Sequence, residues 1–141
     1  MTAARIETSG GDRFHKTEYR SIADAATGLE WFVGPDRNTT VGQARDFAAS
    51  LKAGGHQDWR LPNVRELRTI WTPGAGPKNL PPPFAVGGEL IWTGELSVFG
   101  YVYLRLVNGT LGFDTLARRK HGFRALAVRG PALIDPYAVS P

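Results

Sequence analysis

The 141-residue chain contains no cysteine. That absence excludes disulfides, zinc–thiolate centres and a thiol nucleophile. It fits a reducing compartment, although secreted bacterial domains without cysteine also exist. No apolar run comes near the ~20 residues that cross a bilayer, so no membrane span is expected. The opening stretch MTAARIETSGGDRFHKTEY has no hydrophobic signal core, and no export signal is read from it. G-x-S-x-G, H-E-x-x-H and P-loop lysine motifs are missing too, and the expectation is a protein that is not an enzyme and needs no cofactor. His15, His56 and His121 lie far apart, none with a second ligand at helical or hairpin spacing, so no metal site is expected. Glu89, Glu95 and Asp114 are too scattered to supply the roughly six to eight oxygens of a calcium site. The aromatic residues fall in no recognised RNA- or DNA-binding motif, and nucleic acid is not an expected partner.

What is present describes one folded domain. Its length is that of a single unit, domains commonly running ~100–150 residues. The 42% hydrophobic content is too high for disorder. Gly 17 and Pro 10 favour turns and short elements over a helical bundle. Residues 1–17, polar and glycine-containing, read as an N-terminal arm, residues 18–130 as the domain, and residues 131–141 as an irregular tail. The net charge of +4 is unevenly placed: between Tyr101 and Gly130 six cations face one acid, Asp114. That edge either faces a polyanion or simply solvates the surface.

Short strands are expected near Tyr19–Ile22 and Leu29–Val33, with the Gly-Pro-Asp-Arg-Asn stretch at 34–38 as a loop. Thr40 and Gln43 have capping-box spacing. Val41, Ala44, Phe47, Ala48 and Leu51 follow at helical intervals, and Gly54 and Gly55 are expected to end that helix. A second helix should begin at Asn63, boxed by Glu66, with Val64, Leu67, Ile70 and Trp71 on one face and Pro73 as its stop. Residues 72–89 hold too many prolines and glycines for a regular element, and a loop that long is functional or a tether. Strands resume with Leu-Ile-Trp-Thr-Gly at 90–94 and with 101–107, where Val102, Leu104 and Leu106 alternate against Tyr101, Tyr103, Arg105 and Val107. Asn108-Gly109 signals a type I′ hairpin. A return strand and a last strand over 123–130 follow. Consecutive helices rather than alternating ones make the class α+β, with the two helices packed on an antiparallel sheet.

The stretch GGHQDWRLPN at 54–63 reads as a joint. Trp59 and Leu61 alternate inward, the indole filling the gap between the helices and the sheet. Asp58 and Arg60 point outward, the first toward turn amides, the second toward carbonyls or Glu66.

Four segments, TGLEW (27–31), LKAGGHQDWRLPNVREL (51–67), IWTG (91–94) and FRALAVRG (123–130), come in a spacing that resembles the C-terminal domain of Legionella collagen-like proteins. The resemblance covers about Thr27 to Gly130 and implies a C-type-lectin-like fold, a cell-surface or secreted location and, since those proteins are adhesins for sulfated glycosaminoglycans, an anionic glycan ligand. Family members often carry a cysteine pair at the positions of Ala48 and Ala127, so the Cβ atoms of these alanines should approach within about 3.5–4.5 Å or a little more.

Two candidate binding features follow. One is a basic, aromatic face: Tyr101, Tyr103 and Arg105 on one side of a strand, with Arg118, Arg119, Lys120 and His121 in a nearby turn. Arginine forks suit sulfate, carboxylate or phosphate, and tyrosine faces suit sugar rings. The alternative is that the tyrosines cover a helix or another chain. The other feature is the proline-rich loop 72–88 with Phe84, plus Trp92 and Phe99 near its return; its alternative is that Phe84 plugs the loop onto the core. The expected function is a non-enzymatic bacterial binding module for a polyanionic glycan or a protein partner. The second expectation is a structural subunit of a surface or filament assembly, a homo-oligomer using the same face.

Overall fold

The computed structural model describes residues 13–134, and the fold is α+β. One four-stranded sheet is built from β1 (Phe14–Lys16), β2 (Ile22–Asp24), β3 (Glu30–Val33) and β8 (Leu126–Arg129), in that order across the sheet. A second comprises β4 (Leu90–Ser97), β5 (Gly100–Arg105), β6 (Leu111–Asp114) and β7 (Phe123–Arg124), ordered β6-β5-β4-β7. Helices α1 (Val41–Ser50) and α2 (Val64–Ile70) lie between β3 and β4 in the chain. Neighbouring strands are antiparallel except β4 and β7, which run parallel.

Both helices start where their capping boxes place them. Thr40 Oγ1 accepts from the Gln43 amide at 3.1 Å while Gln43 Oε1 accepts from the Thr40 amide at 2.9 Å. Asn63 and Glu66 repeat the exchange at 2.7 and 2.9 Å. The end of α1 differs from expectation. Leu51 already leaves the helical region, and the glycines shape a separate 3₁₀ turn, Ala53–Gly55. Gly54 has φ +66°, and a Cβ there would sit 2.4 Å from the ring of Tyr19. That position needs glycine for two reasons.

Period-2 alternation divides the strands between two apolar clusters rather than one interior. Trp31, Ile91, Leu104, Leu126 and Val128 face the first, with Leu67 and Ile70 of α2 and Leu80 and Phe84 of the long loop. Their sequence neighbours Phe32, Trp92, Tyr103 and Ala127 face the second, with Val41, Ala44 and Ala48 of α1 and with Trp59 and Leu61. Ala48 and Ala127 therefore share one cluster, in which α1 meets β8. Both sheets are covered on both faces where these residues lie.

Several expectations shift by a few residues for visible reasons. Phe14–Lys16, assigned to the arm, forms an edge strand because Phe14 is buried edge-on against Phe84, ring centroids 5.3 Å apart. The strand expected at Tyr19–Ile22 starts only at Ile22, since Thr17–Ser21 is a turn with Arg20 at φ 72°. The hairpin after β5 is not type I′. Only Gly109 takes positive φ, and its amide bonds to Arg105 O at 2.8 Å across a longer loop. The Leu106 amide donates to Glu89 O at 2.9 Å, while its carbonyl leaves the hairpin and accepts from Trp71 Nε1 and Asn79 Nδ2, both at 2.8 Å. The last strand is two strands. At Ala125, whose carbonyl accepts from Gly34 N at 2.9 Å, the chain leaves the second sheet and joins the first.

Candidate functional site

The Asp58–Pro62 joint proves architectural. Trp59 is 4% exposed, donates from Nε1 to Ala53 O at 3.2 Å and stands edge-on to Phe32. Arg60 exchanges backbone hydrogen bonds with Val128 at 2.9 and 2.8 Å. Its guanidinium forks onto Glu66 and also donates to Gly130 O at 3.1 Å. Burial pushes the Glu66 carboxyl up, but the Arg60 fork and the amides of Asn63 and Leu133 outweigh it and hold the group below its ordinary value. Asp58 takes no turn amide from a neighbour. It pairs with Arg129 at 2.8 Å, which also reaches Glu30 at 3.0 Å. These charges satisfy one another.

The predicted ligand residues divide sharply. Trp92 is 0%, Tyr103 4% and Phe84 7% exposed, so these three are core and not surface. Trp92 stacks on Phe123 with centroids 4.1 Å apart, and Tyr103 stands edge-on to both. Gly112 makes room for that ring, since a Cβ there would lie 2.3 Å from it. Tyr101 is half-buried beneath the guanidinium of Arg45 on α1. Arg105 lies over the Tyr103 ring and donates to Leu111 O at 2.6 Å, so its donors are partly spent. The tyrosines thus serve mainly as packing. Arg118, Arg119, Lys120 and His121 are all exposed, and among the described residues none of the four makes an ion pair.

What the basic turn faces is a segment that sequence reading passed over as a loop. Residues 34–39 are pinned to the second sheet at three points. Thr39 N bonds Phe123 O at 3.1 Å, Trp92 Nε1 donates to Thr39 O at 3.0 Å, and Asn38 Oδ1 accepts from Gly122 N at 3.1 Å. Arg124 adds a clamp by donating to Asp36 at 3.0 Å and to Asn38. Trp92 therefore holds the surface in place without being part of it. Between this segment, α1 and the basic turn opens a groove of about 560 Å3. Arg37 and Lys120 line it together with Asn38, Gln43 and Ser50, and Phe47 supplies an apolar wall. Arg37 has no acidic partner among the described residues, and Asp46 is the one acid on the lining. Two unpaired cations beside neutral donors can hold an anionic group, most of all one that accepts several hydrogen bonds. Among the described residues no three histidine, aspartate or glutamate side chains converge as metal ligands, and no helix is long and apolar enough to cross a membrane.

Arg37 and Asn38 were missed because nothing local marks them. The partner of Asn38 in space, Gly122, lies 84 residues on.

The model of the Lcl C-terminal domain family matches residues 20–129 of this chain. No curated protein matches it.

Proposed function

The chain belongs to the Lcl C-terminal domain family, and from that footing we propose that it is a non-enzymatic, lectin-like binding module whose ligand is a polyanionic glycan. The observation that carries this reading is the placement of Arg37 and Lys120 on one open groove, unpaired, with Arg118 and Arg119 exposed on the same turn. Arg60, Arg124 and Arg129 are tied to carboxylates, whereas among the described residues the cations of the groove and turn make no ion pair and are free to meet an external anion. Sulfate and carboxylate groups on a sugar chain supply that charge together with hydroxyls for Asn38, Gln43 and Ser50. Retention on immobilised heparin tests the reading. The wild type should elute above physiological salt and R118Q/R119Q/K120Q well below it; equal elution of the two would refute it.

The second reading is a structural subunit that packs against copies of itself, and one observation favours it. Phe99 is 64% exposed at the β4–β5 hairpin tip and meets Phe113 edge-on at 5.6 Å, with Leu96, Val98 and Leu116 also exposed. Strand β6, which carries Phe113, is an edge strand. Light scattering of the wild type and of F99S separates the readings: an oligomer dissolved by F99S supports assembly, and a monomer in both removes it.

A further inference from the structure

Ser97 and Gly100 pair across the β4–β5 hairpin, which leaves Val98 and Phe99 as its loop. Two-residue loops favour asparagine, aspartate and glycine, which suit a tight turn in water. Here both positions carry large apolar side chains, and Val98 is 85% exposed. The turn is pinned from within. Phe99 N donates to Ser97 Oγ at 3.0 Å, and Ser97 Oγ donates to Gly100 O at 3.2 Å. The chain returns to the same place after β6, because Tyr101 pairs with Asp114 and the loop after Asp114 starts beside the hairpin tip. Leu116 is placed there by its amide, which donates to Asp114 Oδ1 at 3.2 Å, and it is 63% exposed. Arg118 and Arg119 come next, exposed and, among the described residues, without an ion pair. The acids of residues 95–119 are turned elsewhere: Asp114 is buried, and Glu95 accepts from Val64 N at 2.7 Å.

We infer that this end of the domain docks on an anionic lipid bilayer. Val98, Phe99 and Leu116 enter the interface, and Arg118 and Arg119 meet the headgroups. Elements that lie on membranes combine those two features, apolar side chains at the acyl boundary and cations at headgroup level. A hairpin tip protrudes, which suits insertion into a deformable surface. A second copy of the chain fits the tip less well. A stable protein interface takes roughly 20–30 residues from each side, whereas this patch consists of Leu96, Val98, Phe99, Phe113 and Leu116. A two-fold contact there would also bring the arginine pairs of both copies toward each other. Anionic headgroups neutralise them instead. The inference is independent of the Arg37–Lys120 groove.

Co-sedimentation with vesicles of phosphatidylcholine, alone or mixed with phosphatidylglycerol, tests this. The wild type should bind the mixed vesicles and stay in solution with the neutral ones. V98S/F99S should bind the mixed vesicles roughly tenfold more weakly, through lost apolar burial. R118Q/R119Q should lose roughly thirtyfold, the strength of two basic residues beside an anionic leaflet. Melting temperatures matching the wild type would show that the variants fold. V98S/F99S should elute from heparin with the wild type, which separates the tip from the groove. Loss of heparin retention in that variant would place the tip in the glycan site and overturn the inference. Wild type left in the supernatant by both kinds of vesicle would also overturn it. So would either variant bound as tightly as wild type, since docking needs both insertion and charge. A wild-type oligomer dissolved by V98S/F99S, with no sedimentation on vesicles, would assign the tip to a second copy and refute the membrane.

Discussion

Arg60 and Glu66, six residues apart, are joined by two parallel hydrogen bonds of 2.8 and 2.7 Å across the step into α2. The Glu66 side chain is fully buried, and the Arg60 side chain is one-third exposed. The pair closes the α2 capping box, and through Gly130 and Leu133 it ties down the chain leaving β8. Removing the arginine strands a carboxylate in the interior. Arg60→Ala should therefore cost on the order of 3 kcal/mol in urea unfolding. A change within about 0.5 kcal/mol, the range of ordinary surface substitutions, would show that the pair carries no structural weight.

Acid should destabilise the fold in a defined window. At Glu66, Glu30 and Asp24 burial raises the carboxyl, but hydrogen bonds from Arg60, from Ser21 and from Arg13, respectively, lead the groups that bring each below its ordinary value. The unfolded chain then binds more protons than the folded one, so stability rises with pH through this range. The contribution is fully present above the ordinary carboxylate values, 3.8 for Asp and 4.5 for Glu. It is lost as pH falls through the lower, folded ones. Melting temperature followed downward from neutral pH should be flat and then fall below about pH 4.5, and Glu66→Gln should flatten that fall. An unchanged slope in the variant would contradict the assignment.

Trp59 and Phe84 should behave as core residues and not as ligand contacts. Each alanine substitution is expected to cost ~3–5 kcal/mol, the scale of a buried aromatic truncation. Chemical denaturation measures it. Loss of glycan binding at unchanged stability would return either residue to the surface.

Ala48 and Ala127 line the same cluster where α1 meets β8. The double variant A48C/A127C should form a disulfide under mild oxidation and gain ~2–4 kcal/mol. Free thiols after oxidation, counted by alkylation and mass, would show that the two positions do not face each other.

The local grammar of this fold was readable from the chain. Both capping boxes start the helices, and the alternation separates Leu104, Leu106, Leu126 and Val128 of the first cluster from Tyr103, Phe123, Ala125 and Ala127 of the second. What escaped reading depends on partners far along the chain. The break at Ala125 is imposed by Gly34, the extended loop after β5 by Trp71 and Asn79, and the strand at Phe14 by Phe84. Alternation alone could not say that the Tyr103 face is covered, because a buried second face and a solvent-exposed aromatic one look alike in sequence. For the same reason the basic turn was visible, but the Arg37 side of its groove was not. Arg37 joins the turn only through the folding of residues 34–39 against the second sheet.

The central claim is that unpaired cations around Pro35 and Phe47 hold an anionic sugar chain. Calorimetric titration of heparin into the wild type and R37Q/K120Q, at two salt concentrations and with matched melting temperatures, tests it most directly. Wild-type affinity should fall as salt rises, through release of counterions. The variant should bind roughly tenfold more weakly, with a shallower salt dependence. Equal affinity and equal salt dependence in the two proteins would contradict the account.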